Sequence, residues 1–136
     1  ILAVGCVAAA EGMLDITVEY TLERQAFGAP IAKLQNTKFV LADIKTEIEL
    51  NKALAEKYVA RYVGGDLTPV EASMSKLAAS EMQGRVADQC VQLFGGYGYM
   101  REYPISRAYL DARIQRIYGG TSEIMKELIS RSLVGR

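Results

Sequence analysis

Apolar residues recur at helical spacing along almost the whole chain. In the opening segment Val4, Val7, Leu14 and Val18 follow one another at three, seven and four positions, which places them on one face of a helix. Gly28 and Pro30 end that segment. A second helix is predicted from about Lys33 to Val63, with Leu41, Ile44, Ile48, Ala55, Tyr58 and Tyr62 as its apolar stripe. About thirty residues of helix span roughly 45 Å. Asp43/Glu47 and Lys52/Glu56 sit four apart on its flanks.

Gly64-Gly65 stops that helix, and Thr68-Pro69-Val70-Glu71 starts the next. Thr68 can cap, Pro69 suits the first helical position, and Glu71 closes a capping box. The third helix is expected to bury Met74, Leu77, Met82, Val86, Cys90 and Leu93, and to stop at Gly95-Gly96-Tyr97-Gly98-Tyr99. Pro104 opens a shorter helix to about Ile117. Gly119-Gly120 breaks it, and Thr121 or Ser122 caps a last helix to about Leu133. No segment alternates in the manner of a strand. The expectation is an all-α, up-down bundle of four main helices with a broken fourth element, without repeats or low-complexity linkers.

Composition narrows the function classes. A length of 136 residues suits one domain, and 50% hydrophobic content supports a core. Lys+Arg and Asp+Glu balance at 16 each, which argues against a nucleic-acid binder or a basic membrane-surface protein. There is no histidine, hence no usual base near neutral pH and no commonest metal ligand. Glu11, Asp15, Glu19 and Glu23 ladder one helical face; without histidine this reads as a solvated or ion-paired face, not a di-metal site. Cys6 and Cys90 read as reduced core thiols of a protein in the cytoplasm or mitochondrial matrix. The apolar run from Ile1 to Ala10 lacks a basic flank and falls short of the ~20 residues of a membrane span. A start without Met, inside a helix, suggests a piece of a longer protein.

Three short stretches could carry chemistry. In Arg24-Gln25-Ala26-Phe27-Gly28-Ala29-Pro30-Ile31, followed by Leu34-Gln35, an arginine at a helix end can clamp phosphate beside a stacking ring; an ordinary helix end fits as well. Gln92-Leu93-Phe94-Gly95-Gly96-Tyr97-Gly98-Tyr99 lets backbone approach a ligand, or simply caps a helix. Gly119-Gly120-Thr121-Ser122-Glu123 offers free N–H groups and hydroxyls at a helix start, or a plain N-cap.

Together these stretches resemble the acyl-CoA dehydrogenase family. They stand in the family's order and are joined by Glu102-Tyr103-Pro104-Ile105 and Tyr109-Leu110-Asp111-Ala112. The resemblance covers essentially the whole chain and implies that residues 1–136 are the C-terminal helical domain of such a flavoprotein. It implies FAD as cofactor, with Arg24 on the pyrophosphate of a neighbouring subunit's flavin, and Phe27 and Gln35 lining the same pocket. It puts Gln92, Gly95 and Gly96 at the adenine half of the dinucleotide. It puts Thr121, Ser122 and Glu123 on FAD, and Gly120 against the acyl thioester. It also implies an acyl-CoA substrate, electron-transfer flavoprotein or another acceptor, and a homo-oligomer built as a dimer of dimers.

The resemblance carries one departure. The commonest family pattern has its catalytic glutamate where this chain has Gly119. Neither Glu123, which the family pattern gives to the cofactor, nor Glu102 takes over the role. Long-chain and isovaleryl members carry the base on the first helix instead, at a position aligning about three residues before Ile1. The alternative is a parent that has lost the dehydrogenase reaction and serves as a helical interaction or oligomerisation module. Either way, the chain by itself is expected neither to retain FAD nor to oxidise acyl-CoA.

Overall fold

The computed structural model describes residues 1–135; Arg136 lies outside the described residues. Five α-helices make up about three quarters of it: α1 (Leu2–Glu23), α2 (Gln35–Gly64), α3 (Pro69–Phe94), α4 (Pro104–Ile114) and α5 (Ser122–Val134). The all-α bundle with a broken fourth element is as the sequence indicates. α4 ends three residues early, and the chain turns through 115–120 before α5.

α3 is the axis. It packs against α1, α2, α4 and α5, and one cluster joins it to α1, α2 and α4: Ala10, Met13, Ile44, Ile48, Met82, Val86, Cys90 and Ile105 are among its members. The central position explains where the expected stripes go wrong. Val4 is 46% exposed, and Val18 also faces outward. The inner face of α1 is instead Cys6, Val7, Ala10, Met13, Leu14, Thr17 and Thr21. Small residues let α1 approach α3 closely, and the two threonines satisfy their hydroxyls locally, Thr17 Oγ1 donating to Met13 O at 2.6 Å and Thr21 Oγ1 to Val18 O at 2.9 Å. On α3, Met74, Leu77 and Leu93 are only half-buried, while Ser73, Ser75, Lys76, Ser80 and Gln83 go inside. Tyr62, expected on the stripe of α2, is 71% exposed.

The helix ends follow the residues. Gly65, at φ 78°, ends α2 in the left-handed region where glycine has no steric cost. Thr68 and Glu71 form the reciprocal capping box at the start of α3. Arg61 ties that corner by pairing with Asp66 at 3.2 Å and with Glu71. The first carboxylate of the α1 ladder, Glu11, pairs with Lys52 of α2 at 2.9 Å, so Lys52 leaves its helical neighbour Glu56 for a partner on another helix. Both cysteines are buried free thiols.

One sheet element was not expected. Gln25–Ala26 (β1) and Ala29–Pro30 (β2) pair antiparallel, with Ala26 opposite Ala29. Phe27 at φ 54° and Gly28 at φ 80° form the two-residue turn between them. Positive φ at both positions is the type I′ hairpin geometry, which two-residue segments reach without any alternating pattern.

Candidate functional site

Two separate patches emerge. The first lies where α1 ends. Arg24 is held by its backbone: its N–H donates to Tyr20 O at 2.8 Å and its carbonyl accepts from Ile31 N–H at 2.9 Å. Its side chain enters a groove of about 540 Å³ whose lining includes Tyr20, Gln92, Gly95, Gly96 and Tyr97. The guanidinium lies 5.3 Å from the centre of the Tyr97 ring, and among the described residues it has no carboxylate partner. Gly95 closes α3 at φ 61°, ψ −139°, a backbone state open essentially to glycine. A Cβ at Gly96 would meet nothing within 4 Å, so its backbone faces open space.

An aromatic stack stiffens this groove. Tyr20 stacks on Phe94 at 4.0 Å and donates its hydroxyl to Phe94 O at 3.2 Å. Burial pushes the Tyr20 hydroxyl pKa up, and the nearby Arg24 charge opposes it. Tyr103 meets Tyr20 and Phe94 edge-on and stacks on Tyr97 at 5.1 Å. Phe27 stands off the groove on its hairpin, 94% exposed. A bulky residue at positive φ costs about 1–2 kcal/mol, so the hairpin presents this ring outward in a strained, defined pose. Gln35, the first residue of α2, is exposed and does not line the groove.

The second patch is the turn between α4 and α5. Gly119 (φ 63°) and Gly120 (φ 98°) are both left-handed. Thr121 caps α5, its hydroxyl accepting from Ile124 N–H at 3.3 Å. The turn is clamped to α3 from beneath. Lys76, 7% exposed, donates from Nζ to Gly120 O at 2.7 Å. Burial pulls its ammonium pKa down, and Cys6, Glu81 and Glu123 partly restore it. Arg116 Nε donates to Glu81 Oε1 at 2.9 Å, and Ser122 Oγ to the same oxygen at 2.7 Å. Burial alone would raise the Glu81 carboxyl; the Ser122 hydrogen bond and the Arg116 charge outweigh it and hold it low. The opening turn of α1 closes the other side. A Cβ on Gly119 would sit 2.6 Å from Leu2 Cδ1.

Ser122 is 3% exposed and its hydroxyl is spent on Glu81, so it holds the turn and does not offer that hydroxyl outward. Glu123 is exposed. Its own N–H and the Thr121 hydroxyl keep its carboxyl below the usual range, the opposite of what a base tuned toward neutrality needs. The two patches meet α3 at Gln92–Phe94 and at Lys76–Glu81, about 20 Å apart along the helix. Arg24, Gln92, Gly95 and Gly96 therefore come together, and Gly120, Thr121, Ser122 and Glu123 come together, but not the two groups.

Lys76, Glu81 and Tyr20 stand in no motif of the sequence, and Tyr97 lies within the Gly95–Tyr99 stretch without a role assigned to it there. For Lys76 and Glu81 the signal present is a charge inside an otherwise small and apolar helical stripe, from Ser73 to Val86.

A helical bundle with two separate glycine-framed surface patches is the class these features define. Residues 1–134 match the family described as acyl-CoA dehydrogenase, C-terminal domain, and the chain belongs to that family. It is 48% identical over 128 residues to the mitochondrial long-chain specific acyl-CoA dehydrogenase of Rattus norvegicus, covering 94% of this chain and 30% of that protein. An acyl-CoA dehydrogenase structure from Geobacillus kaustophilus superposes with a TM-score of 0.95 at 40% identity, over 98% of this chain and 35% of that one. A glutaryl-CoA dehydrogenase from Mycobacterium smegmatis in complex with FADH2 superposes with a TM-score of 0.95 at 28% identity, over 99% of this chain and 35% of that one. The chain thus spans about a third of the length of these relatives.

Proposed function

We propose that residues 1–136 are the C-terminal domain of an FAD-dependent acyl-CoA dehydrogenase, an oxidoreductase of fatty acid metabolism that desaturates acyl-CoA thioesters between Cα and Cβ. The observation that carries this reading is the packing of the Gly119 turn on Leu2. A position about three residues before Ile1 lies four before Leu2. It would share the Leu2 face one helical turn further on, roughly 6 Å away. A carboxylate there borders the space that a glutamate at position 119 would otherwise occupy, so base chemistry survives the glycine. Burial beside a ligand would raise its pKa by disfavouring the charged form.

The residues of the first patch suit the diphosphate of FAD: a guanidinium with no carboxylate partner among the described residues, beside the bare backbone of Gly95 and Gly96. Bound FAD would supply the acceptor for the substrate's β hydride. In this reading Arg24, Phe27, Gln35, Gln92, Gly95 and Gly96 hold the flavin dinucleotide of a neighbouring subunit. Thr121, Ser122 and Glu123, at the start of α5, meet the chain's own flavin, with the Ser122 hydroxyl securing that start from within. Gly120 lies against the thioester, and the upstream carboxylate takes the α proton. A site shared between subunits requires at least a dimer, and the assembly proposed is a homo-oligomer built as a dimer of dimers. Electron-transfer flavoprotein or another acceptor would reoxidise the flavin. The setting is the mitochondrial matrix or cytoplasm, and no helix among the described residues is long and apolar enough to cross a membrane.

The test replaces the upstream carboxylate by Gln in the full-length protein. Flavin content should hold, and flavin bleaching by acyl-CoA should slow by roughly 10²–10⁴-fold. A non-carboxylate at that position, or bleaching at the normal rate, refutes the relocated base. The exposed side chains Phe39, Leu50, Tyr62 and Val63 on α2 also favour a packing role. A colourless full-length protein would leave only that module function.

A further inference from the structure

We propose that Tyr97 is a positioning residue: its ring holds the Arg24 guanidinium ready for an anionic diphosphate. The inference rests on the flavin reading of the groove and adds to it the device that orients its arginine. The guanidinium sits 5.3 Å from the ring centre, within cation–π range. No other group among the described residues pairs with it. An unrestrained arginine loses rotamer freedom when it binds, and a held one has already lost it.

The ring is itself anchored at both ends. It stacks on Tyr103 at 5.1 Å, and Tyr103 meets Phe94, which is buried. The following residue, Gly98, is jammed against α3: a Cβ there would lie 2.6 Å from Val91 O and 2.9 Å from Phe94 Cβ. The loop carrying Tyr97 is thus pressed onto the helix that supplies Gln92, Gly95 and Gly96. The Tyr97 hydroxyl has no hydrogen-bond partner among the described residues, so the ring face, not the hydroxyl, is the working part.

The experiment is a double-mutant cycle in the full-length flavoprotein, reading the FAD dissociation constant of the apoprotein. Tyr97→Leu should weaken FAD binding roughly two- to five-fold, the worth of one exposed cation–π contact. Tyr97→Phe should bind as wild type does. On an Arg24→Ala background Tyr97→Leu should have no further effect, since the ring acts only through the arginine. A fluorinated phenylalanine at position 97 keeps the shape while draining the ring face, and should weaken binding as leucine does even if the leucine variant folds poorly. Unchanged affinity in both the leucine and the fluorinated variant overturns the proposal. So does an equal loss with and without Arg24, which would mark Tyr97 as plain scaffolding. If Arg24→Ala itself leaves FAD binding intact, the flavin reading of the groove fails first, and that result is separate from the other two.

Discussion

Replacing Lys76 by Met should leave the domain as stable or more stable while loosening the turn it holds. Two terms compete. Removing the ammonium deletes its hydrogen bond to Gly120 O, a charge-assisted bond worth about 1.5–3 kcal/mol net. Against this, Lys76 is a buried residue that makes no ion pair among the described residues, and desolvating a charge without a counter-charge costs up to several kcal/mol. Met fills the same stem volume without that cost. Gly120 is only half-buried, so water can reach its freed carbonyl. The desolvation term therefore wins or balances. For 136 residues an unfolding entropy of about 0.3 kcal/mol/K makes each kcal/mol about 3–4 °C. The assay is thermal unfolding by circular dichroism, with amide exchange at Thr121 and Ser122 as the local readout. The expected result is a Tm unchanged or up by a few degrees, with faster exchange at the turn.

The pH dependence gives a second check on the same substitution. Burial lowers the folded-state pKa of Lys76 below its ordinary 10.5, so the unfolded chain binds this proton more tightly. Wild-type stability then rises with pH through the alkaline window up to about 10.5, relative to Lys76→Met, as the ammonium titrates. The advantage of Met should shrink in that window. A Tm drop of more than about 5 °C at neutral pH would show the ammonium to be a net stabiliser and refute the reasoning.

Other outcomes follow from the same geometry. Neither thiol should react with a disulfide reagent at pH 8 until the protein unfolds, because both are buried and burial pushes Cys90 up to about 11; rapid titration of the folded protein would contradict this. Thr68→Ala should cost about 1 kcal/mol in urea unfolding by removing the capping box of α3. In full-length protein lacking the upstream carboxylate, Gly119→Glu should restore little activity alone, since its Cβ meets Leu2 and its φ of 63° disfavours side chains. Adding Leu2→Ala should raise that rescue, and equal activity with and without it would show that Leu2 is no obstacle.

The sequence by itself determined the helices, their caps and the family. Periodicity, the Thr68-to-Glu71 box and the glycine breaks are local signals, each complete within a few residues, so they needed no tertiary information. The grouping of Gly120 with Thr121, Ser122 and Glu123 was legible for the same reason. Tertiary structure decided which face of each helix goes inside. α3 is surrounded by four helices, so serines, threonines and a lysine are buried while Val4, Val18 and Tyr62 are not, an outcome no hydrophobic pattern carries. It also decided that Ser122 turns inward to Glu81, that Gly119 rests on Leu2, and that Arg24 meets Tyr97 across 73 positions of chain. Contacts between residues so far apart in sequence arise only when packed helices bring them together, because side-chain chemistry at one position carries no record of what will face it.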